Sequence, residues 1–153
     1  YPCRPPSKRG DVFRQAALKA LDTLSRNPDG FFLMIEGSNI DKAAHSSNLE
    51  EMMEELLDFD RTAGAVLDWA SKHPGTLVVI TADHNTGAFA LTGGSREKGE
   101  ITARFGSGSH DGVAVPVYAF GAGSGDFTGI YENTDIFNKI MNALKKGADK
   151  PVR

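Results

Sequence analysis

Two pairs of an acid and a histidine are the residues of this chain whose chemistry and spacing most favour metal binding. Asp83 and His84 are neighbours directly after an apolar run, and Asp41 and His45 are four residues apart. One helical turn would put Asp41 and His45 on the same helix face, where both side chains can share one ion. A carboxylate oxygen with an imidazole nitrogen suits zinc or a similar divalent ion.

Two further residues extend this set of candidate ligands. Glu36 ends an apolar run and precedes Gly37, so it could offer an oxygen to a harder ion such as magnesium. His110 follows a Gly/Ser-rich segment, residues 105–109, and precedes another apolar run. Each residue alone also fits an ordinary role, such as a helix cap or a surface histidine. The joint occurrence of these residues beside apolar runs favours a metal site.

The elements that must position these residues alternate between strand and helix. Three apolar runs without polar alternation, residues 31–36, 77–81 and 113–120, predict strands that are covered on both faces. Helical spacing of apolar residues predicts helices at residues 12–25 and 49–70. Strand, helix and strand then form a right-handed βαβ unit. We therefore expect an α/β fold with a mostly parallel sheet flanked by helices, with the candidate ligands at the carboxyl ends of strands.

Three local expectations complete this outline. The acids of residues 49–70 are expected to form a solvated helix face; they are Glu50, Glu51, Glu54, Glu55 and Asp58. Residues 88–103 suggest a hairpin with Gly93 and Gly94 in its turn. A final helix, capped by Asn133 or Thr134, should run to Leu144 and end before Gly147.

Three segments of this sequence resemble motifs of the alkaline phosphatases. They are EGSNIDKAAH at residues 36–45, TADH at residues 81–84 and HDGVAVPVYAFG at residues 110–121, in the same order and with the same spacing as in that family. The resemblance runs from about Asp11 to Leu144. It implies two zinc ions and one magnesium ion, with Asp41, His45 and His110 on one zinc, Asp83 and His84 on the second, and Glu36 on magnesium.

Other parts of the family pattern are not identifiable in this chain. They are the serine nucleophile with its preceding aspartate, the threonine that binds magnesium and the arginine that clamps phosphate; the sequence contains no Asp-Ser pair. We therefore expect an incomplete, C-terminal portion of a longer enzyme, with no catalytic nucleophile of its own. Its expected parts are an irregular segment at residues 1–10, the alkaline-phosphatase-like domain at residues 11–146 and a tail at residues 147–153.

Two smaller features qualify the resemblance. Asp111 stands where the family pattern suggests a small hydroxyl residue, and it could either orient the neighbouring imidazole of His110 or face solvent. Asn85 and Thr86 after TADH are more similar to bacterial members of the family than to animal ones.

The resemblance implies the activity of the complete protein: metal-dependent hydrolysis of phosphate monoesters through a phosphoserine intermediate. It also implies a homodimer and a periplasmic or extracellular location. We expect this chain alone to have little or no phosphatase activity. Two alternatives stay open, namely a related metalloenzyme such as a cofactor-independent phosphoglycerate mutase or a phosphodiesterase, and a non-catalytic metal-binding remnant.

Charge and hydropathy exclude other classes of function. The net charge is −3 and the basic residues are scattered, so no basic stripe indicates nucleic-acid binding. No apolar run approaches the roughly 18 residues that a membrane-spanning helix needs.

Overall fold

The computed structural model describes residues 5–148, which form helices and short strands. The helices are α1 (Pro6–Arg9), α2 (Val12–Leu24), α3 (Ser38–His45), α4 (Leu49–Ser71) and α5 (Asp135–Ala148), with a 3₁₀ turn at Ser124–Phe127. The strands are β1 (Leu77–Thr81), β2 (Asn85–Thr86), β3 (Ala90–Ser95), β4 (Glu100–Arg104), β5 (His110–Asp111) and β6 (Val117–Gly121). None of these helices combines the length and apolarity that a bilayer span requires.

The two long helices predicted from apolar spacing are confirmed as α2 and α4. The side chain of Asn48 caps α4 by accepting a hydrogen bond from the backbone N–H of Glu51 at 3.2 Å. The final helix is longer than expected, because α5 runs to Ala148 and contains Gly147. A glycine inside a helix costs only about 1 kcal/mol, so it does not by itself end one.

Strand pairing differs from the parallel sheet that the sequence suggests. Every strand pair within residues 5–148 is antiparallel: β1 with β6, β2 with β5, and β3 with β4. The predicted βαβ unit is missing because residues 31–36 form no strand in the described part of the chain. A run of apolar residues does not specify whether a strand pairs in parallel or antiparallel, because that depends on which strand lies beside it.

Residues 31–36 still alternate in burial along the segment. The odd-numbered residues are half-buried, whereas Phe32 and Met34 are 63% and 76% exposed. The ring of Phe31 packs edge-on against Trp69 of α4 at 6.3 Å. One face of this segment therefore lies against α4, and nothing within the described residues covers the other.

The acidic face of α4 is not uniformly solvated, contrary to expectation. Glu55 and Asp58 are only 5% and 2% exposed, and both bind the guanidinium of Arg9. Arg9 ends α1, so the described part of the segment predicted to be irregular, residues 5–10, contains a helical turn fixed to α4. Residues 1–4 of that segment and residues 149–153 of the predicted tail lie outside the described residues.

The predicted hairpin is confirmed as β3 and β4, but its turn lies elsewhere. Gly93 and Gly94 lie within β3 beside an irregularity in the pairing, and residues 96–99 form the turn. A Cβ on Gly94 would lie 2.3 Å from the carbonyl oxygen of Glu100, and its φ is +146°. This glycine is therefore required for close contact between the strands and not for a turn.

Candidate metal centre

Helix α3 holds Asp41 and His45 toward the loops that follow β1. Its opposite face is apolar, since Ala43 and Ala44 are buried against Met52 of α4. Burying these two small residues fixes the rotation of α3 about its axis. Asp41 and His45 are thereby directed to the other side, with side chains that are each 38% exposed.

Strands β2 and β5 bring the other two histidines together. Thr86 lies opposite His110 in this two-residue antiparallel ladder, and His84 directly precedes β2. The imidazole rings of His84 and His110 stack with their centroids 3.5 Å apart and their planes 22° apart. The ring of His110 also contacts His45 of α3, at 4.8 Å between centroids.

Three candidate ligand atoms form a nearly equilateral triangle. His45 Nε2 lies 3.0 Å from His110 Nε2 and 3.4 Å from Asp41 Oδ1, and the third side, His110 Nε2 to Asp41 Oδ1, is 3.5 Å. Ligands about 2.0–2.1 Å from a tetrahedral zinc ion are separated by about 3.3 Å. The spacing of these three atoms therefore fits one face of a zinc tetrahedron.

His84 belongs to the same cluster. One ligand atom from each of Asp41, His84 and His110 lies within 4.8 Å of the other two. The structure thus brings four of the six predicted metal ligands together, with Asp41 and His110 close to both His45 and His84.

Hydrogen bonds leave Nε2 as the metal-facing atom of His45 and His84. His45 Nδ1 donates to the carbonyl oxygen of Gly108 at 2.7 Å. Thr86 Oγ1 donates to Asp41 Oδ1 at 2.6 Å, so its lone pair accepts from His84 Nδ1 at 3.1 Å. Because Nδ1 carries the proton in each ring, each Nε2 presents a lone pair toward the cluster.

Thr86 and Gly108 form hydrogen bonds with the candidate ligands, and the sequence interpretation did not identify either residue. Thr86 is buried and links Asp41 with His84, so it orients a helix residue and a loop residue at once. Its position two residues after His84 was the available signal, because residues two apart share a face of an extended chain. Gly108 acts through its backbone carbonyl, which no residue type reveals.

Asp83 lies at the rim of this cluster. Its side chain is 85% exposed, and Oδ2 lies 3.2 Å from His84 Nε2. Its other oxygen, Oδ1, accepts a hydrogen bond from the backbone N–H of His84 at 3.1 Å. Asp83 is therefore adjacent to the gathered histidines, with an oxygen open to solvent.

Glu36 is the predicted ligand that the structure does not bring into the cluster. Its side chain is exposed, and within the described residues it makes no hydrogen bond or ion pair. It precedes Gly37, the N-cap residue of α3. The backbone therefore leads from Glu36 directly into the helix that carries Asp41 and His45.

Several known proteins that are similar to this chain are phosphatases. The family model for alkaline phosphatase matches residues 7–104, nearly two thirds of the chain. Alkaline phosphatase of Escherichia coli (strain K12) is 31% identical across 93% of this chain, and streptomycin-6-phosphate phosphatase of Streptomyces griseus is 36% identical across 75%. These alignments span 34% and 29% of the two relatives, so the chain is much shorter than the curated proteins it matches.

A solved structure agrees with these relatives. A mutant of TAB5 alkaline phosphatase with magnesium bound in its M3 site superposes with a TM-score of 0.82 at 38% identity, over 90% of this chain and 42% of that chain. This likeness confirms the predicted alkaline-phosphatase-like α/β fold, although the strands paired within residues 5–148 are antiparallel. The chain therefore belongs to the alkaline phosphatase family.

Proposed function

We propose that this chain supplies the metal-binding part of an enzyme that hydrolyses phosphate monoesters. Family membership supports the reaction class. The observation that carries the proposal is the triangle of Asp41 Oδ1, His45 Nε2 and His110 Nε2, whose sides of 3.0–3.5 Å match zinc coordination.

The proposed metal ligands follow the family motifs. Asp41, His45 and His110 would hold one zinc ion, and Asp83 and His84 would contribute to a second. Glu36 would bind magnesium with its exposed carboxylate. The magnesium bound to the TAB5 mutant supports a divalent-metal requirement in this family. The donor set supports it as well, because carboxylate oxygens and neutral imidazole nitrogens are the usual zinc ligands outside thiolate sites.

The chain's own residues contribute orientation and access to this chemistry. Gly108 and Thr86 fix the proton positions on His45 and His84, which keeps both Nε2 atoms available. His110 is half exposed, so a phosphate group can approach the cluster from solvent. Bound zinc would supply Lewis-acid stabilisation of the oxygens in an in-line phosphoryl displacement.

The covalent step of the reaction would require a residue from elsewhere in the family domain. We propose a phosphoserine intermediate. Its serine would lie in the part of the family domain that this chain does not cover. By the same resemblance, the complete protein would be a homodimer in the periplasm or outside the cell. The isolated 153-residue chain would have little or no phosphatase activity.

The test compares two histidines of the complete gene product that carries this chain. His45→Ala removes a corner of the triangle, whereas His73→Ala removes a histidine that stacks on Trp69 outside the cluster. Zinc content per chain and turnover of p-nitrophenyl phosphate are measured for both variants. Loss of a direct ligand should lower turnover by more than the 10- to 100-fold typical of outer partners, and should also lower zinc content.

The outcome separates the alternatives that the sequence left open. Equal zinc content in the two variants would exclude this ligand assignment. If His45→Ala loses zinc but the wild-type protein hydrolyses no phosphate ester, the protein is a non-catalytic metal-binding protein. A panel of monoesters, diesters and phosphoglycerate distinguishes a phosphatase from a diesterase or mutase.

A further inference from the structure

The ladder that joins His84 to His110 is very short. Strands β2 and β5 contribute two residues each, with Asn85 opposite Asp111 and Thr86 opposite His110. Even a complete two-stranded hairpin is only marginally stable in water. Backbone pairing alone therefore does not explain how this segment is held in place.

The carboxylate of Asp111 supplies additional contacts. The Asn85 amide donates to both of its oxygens, at 3.1 and 2.9 Å. The backbone N–H groups of Val113 and Ala88 donate to Oδ1 and Oδ2 at 3.1 and 3.0 Å. Hydrogen bonding from Val113, followed by Asn85 and Ala88, lowers the pKa of Asp111 although burial opposes this.

One of these contacts is made by a residue with an uncommon backbone conformation. Ala88 has a φ of +45°, which is uncommon for a residue with a Cβ, and it follows Gly87 with a φ of +80°. The bond from Ala88 to Asp111 therefore supports the turn that directly follows β2. Because both Asp111 oxygens already accept two hydrogen bonds, this carboxylate is occupied as an acceptor and is unlike the open carboxylate of Asp83.

Asn85 and Asp111 each directly follow one of the clustered histidines. Asn85 comes after His84 and Asp111 comes after His110, so a bond between the two side chains ties together the backbones that carry both rings. We propose that Asp111, bound by Asn85, is a positioning residue that sets the relative placement of the His84 and His110 imidazoles. This inference rests on the metal centre proposed above.

The experiment uses cobalt(II) as a spectroscopic probe in the complete, metal-depleted gene product. Five proteins are titrated: wild type, His45→Ala, Asn85→Ala, Asp111→Ala and the variant that combines the last two substitutions. Asp22→Ala is the control, because it also removes one negative charge but breaks only exposed ion pairs, with Arg26 and Lys19. The visible d–d absorption of bound cobalt reports ligand geometry directly.

We expect weaker cobalt binding and an altered d–d spectrum in Asn85→Ala and in Asp111→Ala. Outer-sphere partners of metal ligands typically contribute about 10- to 100-fold in affinity, so a loss in that range is expected for Asp111→Ala. The double variant should lose less than the product of the two single losses, because one interaction is removed twice. Asn85→Ala keeps both backbone bonds to Asp111 and so retains a folded test protein if Asp111→Ala unfolds.

Two results have different meanings. If wild-type cobalt binding does not depend on His45, the proposed metal centre itself is wrong. If wild type binds through His45, but Asn85→Ala and Asp111→Ala match Asp22→Ala in affinity and spectrum, the positioning role is wrong. Circular dichroism of each variant establishes that the compared proteins are folded.

Discussion

Replacing Arg9 with alanine should destabilise the chain far more than its position near one end would suggest. The Arg9 guanidinium donates to Glu55 Oε1 and Oε2 at 2.7 and 2.6 Å and to Asp58 Oδ2 at 2.7 Å. The two acid side chains are 5% and 3% exposed, whereas that of Arg9 is 20% exposed. Removing the cation leaves two buried carboxylates on adjacent turns of α4.

The expected loss is about 3 kcal/mol in the free energy of unfolding. Breaking a buried ion pair from one side typically costs about 3–5 kcal/mol, because the remaining charge is desolvated without compensation. The lower end applies because other donors remain: Asn39 reaches Glu55 at 3.4 Å and Arg61 reaches Asp58 at 3.3 Å. Partial exposure of Arg9 also reduces the expected loss in free energy of unfolding.

Urea unfolding of the purified chain measures this loss, followed by the fluorescence of its single tryptophan, Trp69 on α4. Arg14→Ala is the matched control. Arg14 pairs with Asp11 at the exposed start of α2, and exposed pairs contribute little to stability. Arg9→Ala should therefore lower the midpoint clearly more than Arg14→Ala.

A second substitution tests the physical reason. Glu55→Gln should destabilise the wild type, because it weakens bonds to a cation. In the Arg9→Ala background the same change should stabilise, because it removes a buried charge that has lost that cation. A loss in Arg9→Ala no larger than in Arg14→Ala, or a further loss on adding Glu55→Gln, would refute the reasoning.

Two other predictions follow from the loops around the cluster. Gly87→Ala should lower the free energy of unfolding by about 2 kcal/mol or more, because Gly87 has a φ of +80° and an added Cβ would lie 2.9 Å from the Phe105 ring. Gly64→Ala, on the open face of α4, should instead raise it by about 0.5–1 kcal/mol. Thermal unfolding of both variants measures the sign of each change. Hydrogen bonds from Val113, Asn85 and Ala88 lower the pKa of Asp111 in the folded protein. The stabilisation that the ionised Asp111 gives the fold is therefore complete above the unfolded-state pKa of about 3.9 and is lost as pH falls through the lower folded-state pKa. The difference in free energy of unfolding between wild type and Asp111→Asn, from urea titrations, should shrink below about pH 4, and a larger difference there would contradict this prediction.

The sequence predicted those features that depend on local periodicity or on residue type. Helices α2 and α4 follow from apolar spacing, and the shared helix face of Asp41 and His45 follows from their spacing of four residues. The grouping of these two residues with His110 was implied only by the resemblance to the alkaline phosphatases. The strand predicted at residues 31–36 is not present among the residues that the structure describes. An apolar pattern indicates that both faces of a segment can be buried, but it does not show that a neighbouring strand is available for hydrogen bonding. Burial of Glu55 and Asp58 was missed because their partner, Arg9, is 46 residues away from Glu55 in sequence.

The two sides of the cluster depend on different forces. Asp41 and His45 are fixed by the burial of Ala43 and Ala44 in an apolar core, a non-directional interaction that tolerates small changes in geometry. His84 and His110 depend on directional contacts, because their ladder has only two rungs and polar side chains must complete it. Enlarging the alanines of α3 should therefore act through folding stability. Changes at the polar side of the cluster should instead alter ligand geometry while the fold persists, which makes that side the place where metal affinity can be tuned separately from stability.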